Sequence, residues 1–317
     1  MQEVFDFAWQ VATGGYQWVR TQAEPEPLGS EKEGFFLTAH TPPFTGRRYA
    51  PLQQYPALFR VFIETPPTQE GILAFADQYG LLGDKITTQI ILPNKQGAWG
   101  EVLQDWQIEL AALKHAVVLW DLVQTGNVER LAAHIIWKEQ GVTYDSHPEY
   151  PSDKGPIGDV HTQEWIAIEH EPDMLARFQP GDVGQPALYY VQRVVNRHLT
   201  GRVSPRVLWN REHTELGLYM VPSGLIGALW LQFAQAIAGH KQYHRCEYCD
   251  TWFEVSLEAS RPTRVYCSDA CRFKAYRKRQ EDAYRLHREK VPLQEIAKRL
   301  GTDTTTAKGW IKKRKEA

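Results

Sequence analysis

A mixed α+β body followed by a small cysteine-bearing module and a basic helical tail is the architecture this 317-residue sequence predicts. Three observations point to it. Strand-like and helix-like apolar periods alternate through residues 1–240. All four cysteines fall in one short window, as Cys246-x2-Cys249 and Cys267-x3-Cys271. Charge also divides along the chain. Residues 241–317 carry 19 Lys and Arg against 11 Asp and Glu, a net of +8, and residues 1–240 carry 17 against 27, a net of −10. The overall formal charge of −2 hides this division.

Residues 1–240 are long enough to bury a core of their own. Tyr16-Gln-Trp18-Val-Arg and Gly34-Phe35-Phe36-Leu37-Thr38 read as two strands around a loop rich in Pro and Glu. A helix is expected on Tyr55, Leu58, Phe59 and Phe62. Pro66-Pro67 opens another on Ile72, Phe75 and Tyr79, which Gly80 closes. The clearest helical period runs from about Glu101 to Thr125, with Leu103, Trp106, Leu110, Leu113, Val117 and Trp120 on one stripe. That stripe reads as core, not as a cofactor box. Residues 141–161, rich in Pro, Gly and Asp, read as a long loop. A strand near Trp165–Ile168, a helix at about Gln185–Leu199 and a hairpin pairing Arg206–Trp209 with Leu216–Val221 follow. Ser223 is placed to cap an apolar helix ending at Gly239, whose short length and whose Gln232 and Gln235 argue against a membrane span.

This body holds no glycine-rich phosphate loop, nucleophile elbow or His-Glu-x-x-His pattern, so catalysis is not expected of it. Its one polar concentration is His161, Glu164, Glu169, His170 and Glu171. Alternation along a strand would set Glu169 and Glu171 on one face, and the group reads as acidic surface. An unrecognised metal-dependent enzyme is the alternative it leaves open.

Paired thiols at the spacing of Cys246, Cys249, Cys267 and Cys271 suit a tetrahedral ion, and zinc is the usual occupant. The competing reading is two disulfides in a secreted domain. Met1-Gln2-Glu3-Val4 is too polar and acidic for a secretory leader, and a chain of this length builds a core without disulfides, so the cytoplasm is the expected compartment. Cys246-Glu-Tyr-Cys249 predicts a tight knuckle, Thr251–Val255 a strand, Ser260-Arg-Pro-Thr263 a turn and Arg264-Val-Tyr266 the returning strand. Ser268 stands where an N-cap belongs, Asp269 complements the helix dipole, and Cys271 falls on that first turn. Knuckle, hairpin and ligand-bearing helix describe a treble-clef zinc finger with one closed, structural zinc ion. Arg245, Arg264 and Arg272 are close enough in sequence to balance thiolate charge.

The basic tail points to a polyanion. Asp269 to about Lys290 reads as one helix, with Phe273, Tyr276, Gln280, Tyr284 and His287 on one side. Arg272, Lys274, Arg277, Lys278, Arg279, Arg285 and Arg288 lie on the other. Val291-Pro292 breaks it, Leu293–Leu300 makes a short amphipathic helix, Gly301 turns the chain, and Thr302-Asp303 caps a last helix through Lys312. Ile296, Ala297, Leu300, Gly301, Ala307 and Trp310 fall where a DNA-binding helix-turn-helix places its core and turn. Thr302 and Ala307 depart from the apolar residues commoner there, and Gly309 costs about 1 kcal/mol of helix stability. In that motif the second helix enters the major groove by its N-terminal end, which assigns Thr304, Thr305, Thr306, Lys308 and Lys312 to base edges. Arg272, Lys274, Arg277, Lys278 and Arg279 are assigned to phosphates.

The run Cys267-Ser-Asp-Ala-Cys271-Arg-Phe-Lys-Ala-Tyr-Arg-Lys-Arg, preceded by a Trp-Phe strand and a Leu/Trp/Phe-rich helix, is similar to the CGNR-type zinc-finger proteins. The resemblance covers roughly residues 222–279. It implies a bacterial transcriptional regulator with a ligand-sensing-like domain before the finger, and it carries zinc and DNA roles to the finger. The sequence departs from the pattern after Cys271, where Arg-Phe replaces Gly-Asn, and in its three-residue spacing of the last cysteines. The expected domains are therefore 1–240, 241–290 and 291–317. Double-stranded DNA at the nucleoid is the expected partner and a membrane is not. A small-molecule effector of residues 1–240 and a homodimer stay open. RNA binding, or a place in a recombination or defence complex, is the runner-up.

Overall fold

The computed structural model describes residues 7–22, 33–40, 46–83, 86–92, 94–146, 163–210, 214–255 and 264–315. The chain divides into two units, Met1–His240 and Lys241–Ala317.

In the first unit, β1 (Trp9–Ala12) runs antiparallel to a strand from further along the chain. β2 (Tyr16–Gln22) and β3 (Glu33–Ala39) pair antiparallel with Trp18 opposite Leu37, where alternating apolar residues place two strands. β4 (Gly46–Tyr49) is the partner of β1. The helix expected on Tyr55 to Phe62 begins only at Leu58, as α2 (Leu58–Ile63), and a short helix α1 (Pro51–Gln54) precedes it. Tyr55 precedes Pro56, whose ring disfavours helical backbone at the residue before it, and the helix stops there. α3 (Gln69–Tyr79) is capped by Thr68, whose hydroxyl accepts from the Gly71 amide, and closed by Gly80 at φ +93°.

Two strands then appear that periodicity does not announce, β5 (Thr87–Ile91) and β6 (Gly97–Val102). They complete an antiparallel sheet of order β2-β3-β6-β5. Glu101, expected to open a helix, instead lies in β6 and is fully buried. Its carboxylate accepts from the Leu82 amide at 2.9 Å, the Gly83 amide at 2.6 Å and the Thr87 hydroxyl at 2.8 Å. It thereby fastens the segment after α3 to the sheet. α4 (Leu103–Gln124) follows, and it buries more than the expected stripe: Ala111, His115, Leu119 and Leu122 are enclosed as well. A helix buried on several faces is central to its core. Trp106 on α4 meets Phe62 and Phe75 at ring distances of 6.2 and 6.0 Å.

After α5 (Val128–His134), the strands β7 (Ile135–Lys138), β8 (Gly141–Asp145) and β9 (Gln163–Ile168) form a second antiparallel sheet in that order. β8 corrects the expected loop over 141–161. Val142, Thr143 and Tyr144 are good strand formers and are all buried, which outweighs the flanking polar composition. Residues 147–162 of that loop lie outside the described residues. α6 (Pro172–Leu175) precedes α7 (Gly184–Leu199), whose Tyr190 stacks on Tyr144 at 4.1 Å. β10 (Val203–Trp209) and β11 (Leu216–Pro222) make the expected hairpin.

α8 (Leu225–Ala238) closes the unit. Its cap is not Ser223, whose hydroxyl donates to the Arg202 carbonyl instead. Gly224 occupies the N-cap in extended backbone. No described helix is long and apolar enough to cross a membrane. Polar groups fix α8 in place. Buried Gln232 donates to the carbonyls of Pro51 and Tyr55 at 3.1 and 2.7 Å and accepts from the Phe59 amide. Trp230 stacks on His198 at 4.1 Å beside a forked pair in which Arg202 grips Glu109. Burial alone would raise the Glu109 carboxyl, but His198 and Arg202 hold it below the ordinary carboxylate range.

In the second unit, β12 (Gln242–Arg245) and β13 (Trp252–Val255) flank the first cysteine pair. The long helix α9 (Asp269–Arg288) leads to α10 (Leu293–Arg299) and α11 (Thr304–Lys315). The last three helices share one core: Ala283 and Leu286 from α9, Ile296 and Ala297 from α10, and Ala307, Trp310 and Ile311 from α11. The core of residues 291–317 thus includes the C-terminal part of α9, across the expected boundary at residue 290. Alanines at the centre let the helices approach closely, and the Trp310 indole donates to the Tyr276 hydroxyl at 3.1 Å. Gly301 makes the α10–α11 turn at φ +60°, with open space where a Cβ would sit, so its role is conformational.

The buried carboxyl of Glu101 predicts a pH dependence. Burial pushes it up to about 7, against the pull of the Gly83 and Leu82 amides and the Thr87 hydroxyl. The unfolded chain returns it to its ordinary value of 4.5. Between these values the folded unit binds the proton more tightly. Its contribution to stability is complete below the unfolded value and is lost as pH rises through the folded one. Denaturant melts across this interval should show stability falling with pH, and Glu101→Gln should flatten the slope. A slope that Glu101→Gln leaves unchanged would assign it to other groups. In the second unit, Gly309 is exposed within α11 with no atom near the position of a Cβ. Gly309→Ala should therefore raise the stability of that unit by about 1 kcal/mol in thermal or denaturant unfolding.

Candidate metal centre

The first cysteine pair sits at the tip of the β12–β13 hairpin. The Cys246 amide donates to the Thr251 carbonyl, the Asp250 amide donates to the Cys246 carbonyl, and Asp250 takes the left-handed backbone at φ +58° that the tight reversal needs. This corrects the expected hairpin. The partner of Trp252–Val255 is the strand before the knuckle, because the knuckle itself reverses the chain. Arg264–Tyr266 is not a strand; it passes beside the knuckle, where the Val265 carbonyl accepts from the Glu247 amide at 3.0 Å. The expected turn at Ser260–Thr263 lies outside the described residues. The second pair is set by α9. Ser268 caps it by accepting from the Cys271 amide at 3.2 Å, which holds Cys271 on the first turn.

These elements bring all four cysteines together. Their sulfurs lie within 4.8 Å of one another, and among the described residues they are the one cluster of such ligand atoms able to hold a metal ion. Cys267 and Cys271 are 3.5 Å apart, Cys249 and Cys267 3.6 Å, and Cys249 and Cys271 3.7 Å. None of the four is disulfide-bonded. Four sulfurs at about 2.3 Å around a tetrahedral centre would be about 3.8 Å apart, so the set fits such an ion with little movement.

The crowded thiols differ in how readily they ionise. Burial raises the Cys246 thiol, but the amides of Cys267, Cys249 and Tyr248 outweigh it and bring the group down to about 6. Thr251 lowers Cys249. Burial, with the neighbouring sulfurs of Cys271 and Cys249, pushes Cys267 up to about 12. Sulfurs this close resist common ionisation unless a positive charge lies between them. The arginines expected to supply charge have partners close to the cysteines in sequence. Arg245 pairs with Asp250 and lies over Trp252, Arg264 donates to the carbonyls of Tyr266 and Cys267, and Arg272 pairs with Asp269 at 3.2 Å.

The remaining expected site residues fall on two helices. On α9, Arg272, Lys274, Arg277 and Lys278 are exposed, while Arg279 is half-buried and donates to the Tyr266 hydroxyl at 2.8 Å. The side of α9 carrying Phe273, Tyr276, Gln280, Tyr284 and His287 is buried only in part, with Tyr284 packed against the three-helix core. Ala275, Ala283 and Leu286 are enclosed, and Phe273 and Tyr276 are 56% and 41% exposed. On α11, Thr304, Thr305, Lys308 and Lys312 are exposed. Thr306 is half-buried, and its amide and hydroxyl both donate to Asp303, which caps the helix.

The acidic group of the first unit does not assemble. Glu169 and His170 lie on an exposed turn after β9, and Glu171 caps α6, so Glu169 and Glu171 do not share a strand face. Glu164 is ion-paired with Arg193 and Arg197 on α7, and His161 lies outside the described residues. Compared with protein-family models, with curated proteins and with solved structures, the chain matches none.

The purified protein should carry one metal ion per chain by elemental analysis. Cys267→Ser should lose that ion, and amide exchange over β12, β13 and the first turn of α9 should accelerate. Full metal content in the variant would mean that the sulfurs are not the ligands.

Proposed function

We propose that this chain is a double-stranded DNA-binding protein, acting as a transcriptional regulator, whose finger is held by one structural zinc ion. The observation that carries this reading is the pairing, within one unit of net charge +8, of the exposed cations of α9 with the exposed first turns of α11. Neither set is consumed by the core, which the three helices build from their other faces.

Zinc suits four thiolates in tetrahedral array, has no redox chemistry of its own, and leaves a four-thiolate site closed to catalysis. A knuckle at a hairpin tip followed by a helix bearing the last ligand supports a treble-clef reading. The α10–Gly301–α11 arrangement supports a helix-turn-helix whose second helix offers Thr304, Thr305 and Lys308 to a major groove. Lys274, Arg277 and Lys278 would lie along phosphates, which supply affinity without sequence information. The cysteines have few apolar neighbours, so metal binding, on the order of 10–16 kcal/mol for structural zinc, is what orders the finger.

Binding titrations on a selected duplex and on random DNA, across salt, test the assignment. Arg277→Ala should weaken both equally and reduce the salt slope by about one unit. Lys308→Ala or Thr305→Ala should cost about 1–3 kcal/mol on the selected duplex and little on random DNA. Equal losses on both duplexes from every variant would mean that α11 does not read sequence. Tighter binding to single-stranded RNA than to any duplex would overturn the reading.

A further inference from the structure

The first unit holds a cavity of about 310 Å³. Its walls come from four places: Trp9 on β1, Tyr16 on β2, Leu81 after α3 and Trp99 on β6. Arg48 on β4 and Thr87 on β5 add polar groups. The size lies at the lower end of the range of about 300–1,000 Å³ typical of small-molecule sites.

The walls are held in place independently of any occupant. The Trp9 indole donates to the Leu81 carbonyl at 2.9 Å, and its ring stacks on Phe7 at 5.7 Å. Gly83, at φ +75°, passes so close to this ring that a Cβ would meet it at 2.5 Å. The Tyr16 hydroxyl accepts from the Ala12 amide at 3.0 Å. Behind the lining, the Glu101 carboxylate ties the Gly83 amide to the Thr87 hydroxyl, and both of its oxygens are occupied by this pair and the Leu82 amide. A buried network with both acceptor oxygens engaged fixes the geometry of the wall behind the lining.

The charge balance of the lining identifies the kind of molecule that fits. Among the described residues that line the cavity, Arg48 is the one that carries a charge. Its side chain is exposed and makes no ion pair or hydrogen bond among the described residues. Guanidinium groups recognise carboxylates through two parallel donors. Trp99 is 48% exposed, an indole face left open to solvent. Aromatic walls with a single cation select a planar, apolar molecule bearing one negative charge.

We propose that this cavity binds a small planar aromatic carboxylate, its ring against Trp9 and Trp99 and its carboxylate on Arg48. The site stands apart from the DNA-binding reading and does not depend on it. Isothermal titration of the full chain with 2-naphthoate and with its neutral amide, 2-naphthamide, tests it. Naphthoate should bind at one site per chain and more tightly than the amide. Arg48→Gln should weaken naphthoate by about tenfold or more, the loss expected for a charge-assisted hydrogen-bond pair, and leave the amide unchanged. Arg48→Lys should retain part of that preference. Trp99→Ala should weaken both compounds. Both residues are exposed, so unchanged melting curves will confirm that the variants fold. Absence of binding by either compound at millimolar concentration overturns the proposal. So does equal affinity for acid and amide, or naphthoate binding that survives Arg48→Gln and Trp99→Ala intact.

Discussion

The crowding of four sulfurs within 4.8 Å governs the second unit, because little else holds its hairpin to its long helix. The apolar cluster around them is small: Cys246, Phe253 and Val255, with Tyr266, Cys267 and Cys271 at its edge. An interior of that size falls well short of the entropy cost of ordering the segments it joins. The clustering of the four sulfurs is therefore what brings hairpin and helix together, and the local chain is arranged around it. Asp250 adopts a left-handed turn so that Cys246 and Cys249 face the same way, and Ser268 caps α9 so that Cys271 does too. At its other end α9 is held by a different device, an apolar core of alanines, isoleucines and one tryptophan.

The first unit rests on size and shape complementarity with a few polar fasteners. Trp106, Trp230, Phe59, Phe62 and Phe233 supply fully buried bulk. Specificity of placement comes from groups that would be costly to leave unpaired. Glu109 with Arg202 joins α4 to the chain after α7, Gln232 joins α8 to α1 and α2, and Glu101 joins β6 to the segment after α3. Each is a polar side chain in a buried position satisfied by partners distant in sequence. Breaking one partner of such a pair is more damaging than replacing the whole pair, since it strands a charge or a donor in the interior.

Much of this is legible in the sequence where one physical signal dominates. The stripe of α4, the period of α7 and the β10–β11 hairpin follow from side-chain periodicity, and Ser268 and Gly301 are local backbone signals that act without tertiary help. The failures have equally specific causes. β5 and β6 contain glycine or lack clear alternation, and they form because β3 offers an edge to β6 and β6 in turn offers one to β5. Tyr144 turns a stretch of loop-like composition into a strand by filling space beside Tyr190. Glu101 reads as the start of a helix, because no sequence signal marks a carboxylate that three donors will enclose. On α9 the aromatic side is the one periodicity sends inside. A helix buries the face its neighbours reach, and in the C-terminal half those neighbours meet Ala283 and Leu286. The cysteine ligand set is readable in full, while the strand order around it is not, since a knuckle can turn the chain as sharply as any glycine-rich loop.

The unbroken length of α9 has a geometric consequence. Its 20 residues span about 30 Å, with the sulfur cluster at one end and the three-helix core at the other. A continuous helix transmits rotation as well as distance. One residue added or removed between Tyr276 and Asp282 would turn the two ends relative to each other by about 100° while moving them only about 1.5 Å along the axis. The two ends are thus set in angular phase by residue count, and a change of length keeps that phase only when it comes close to whole helical turns.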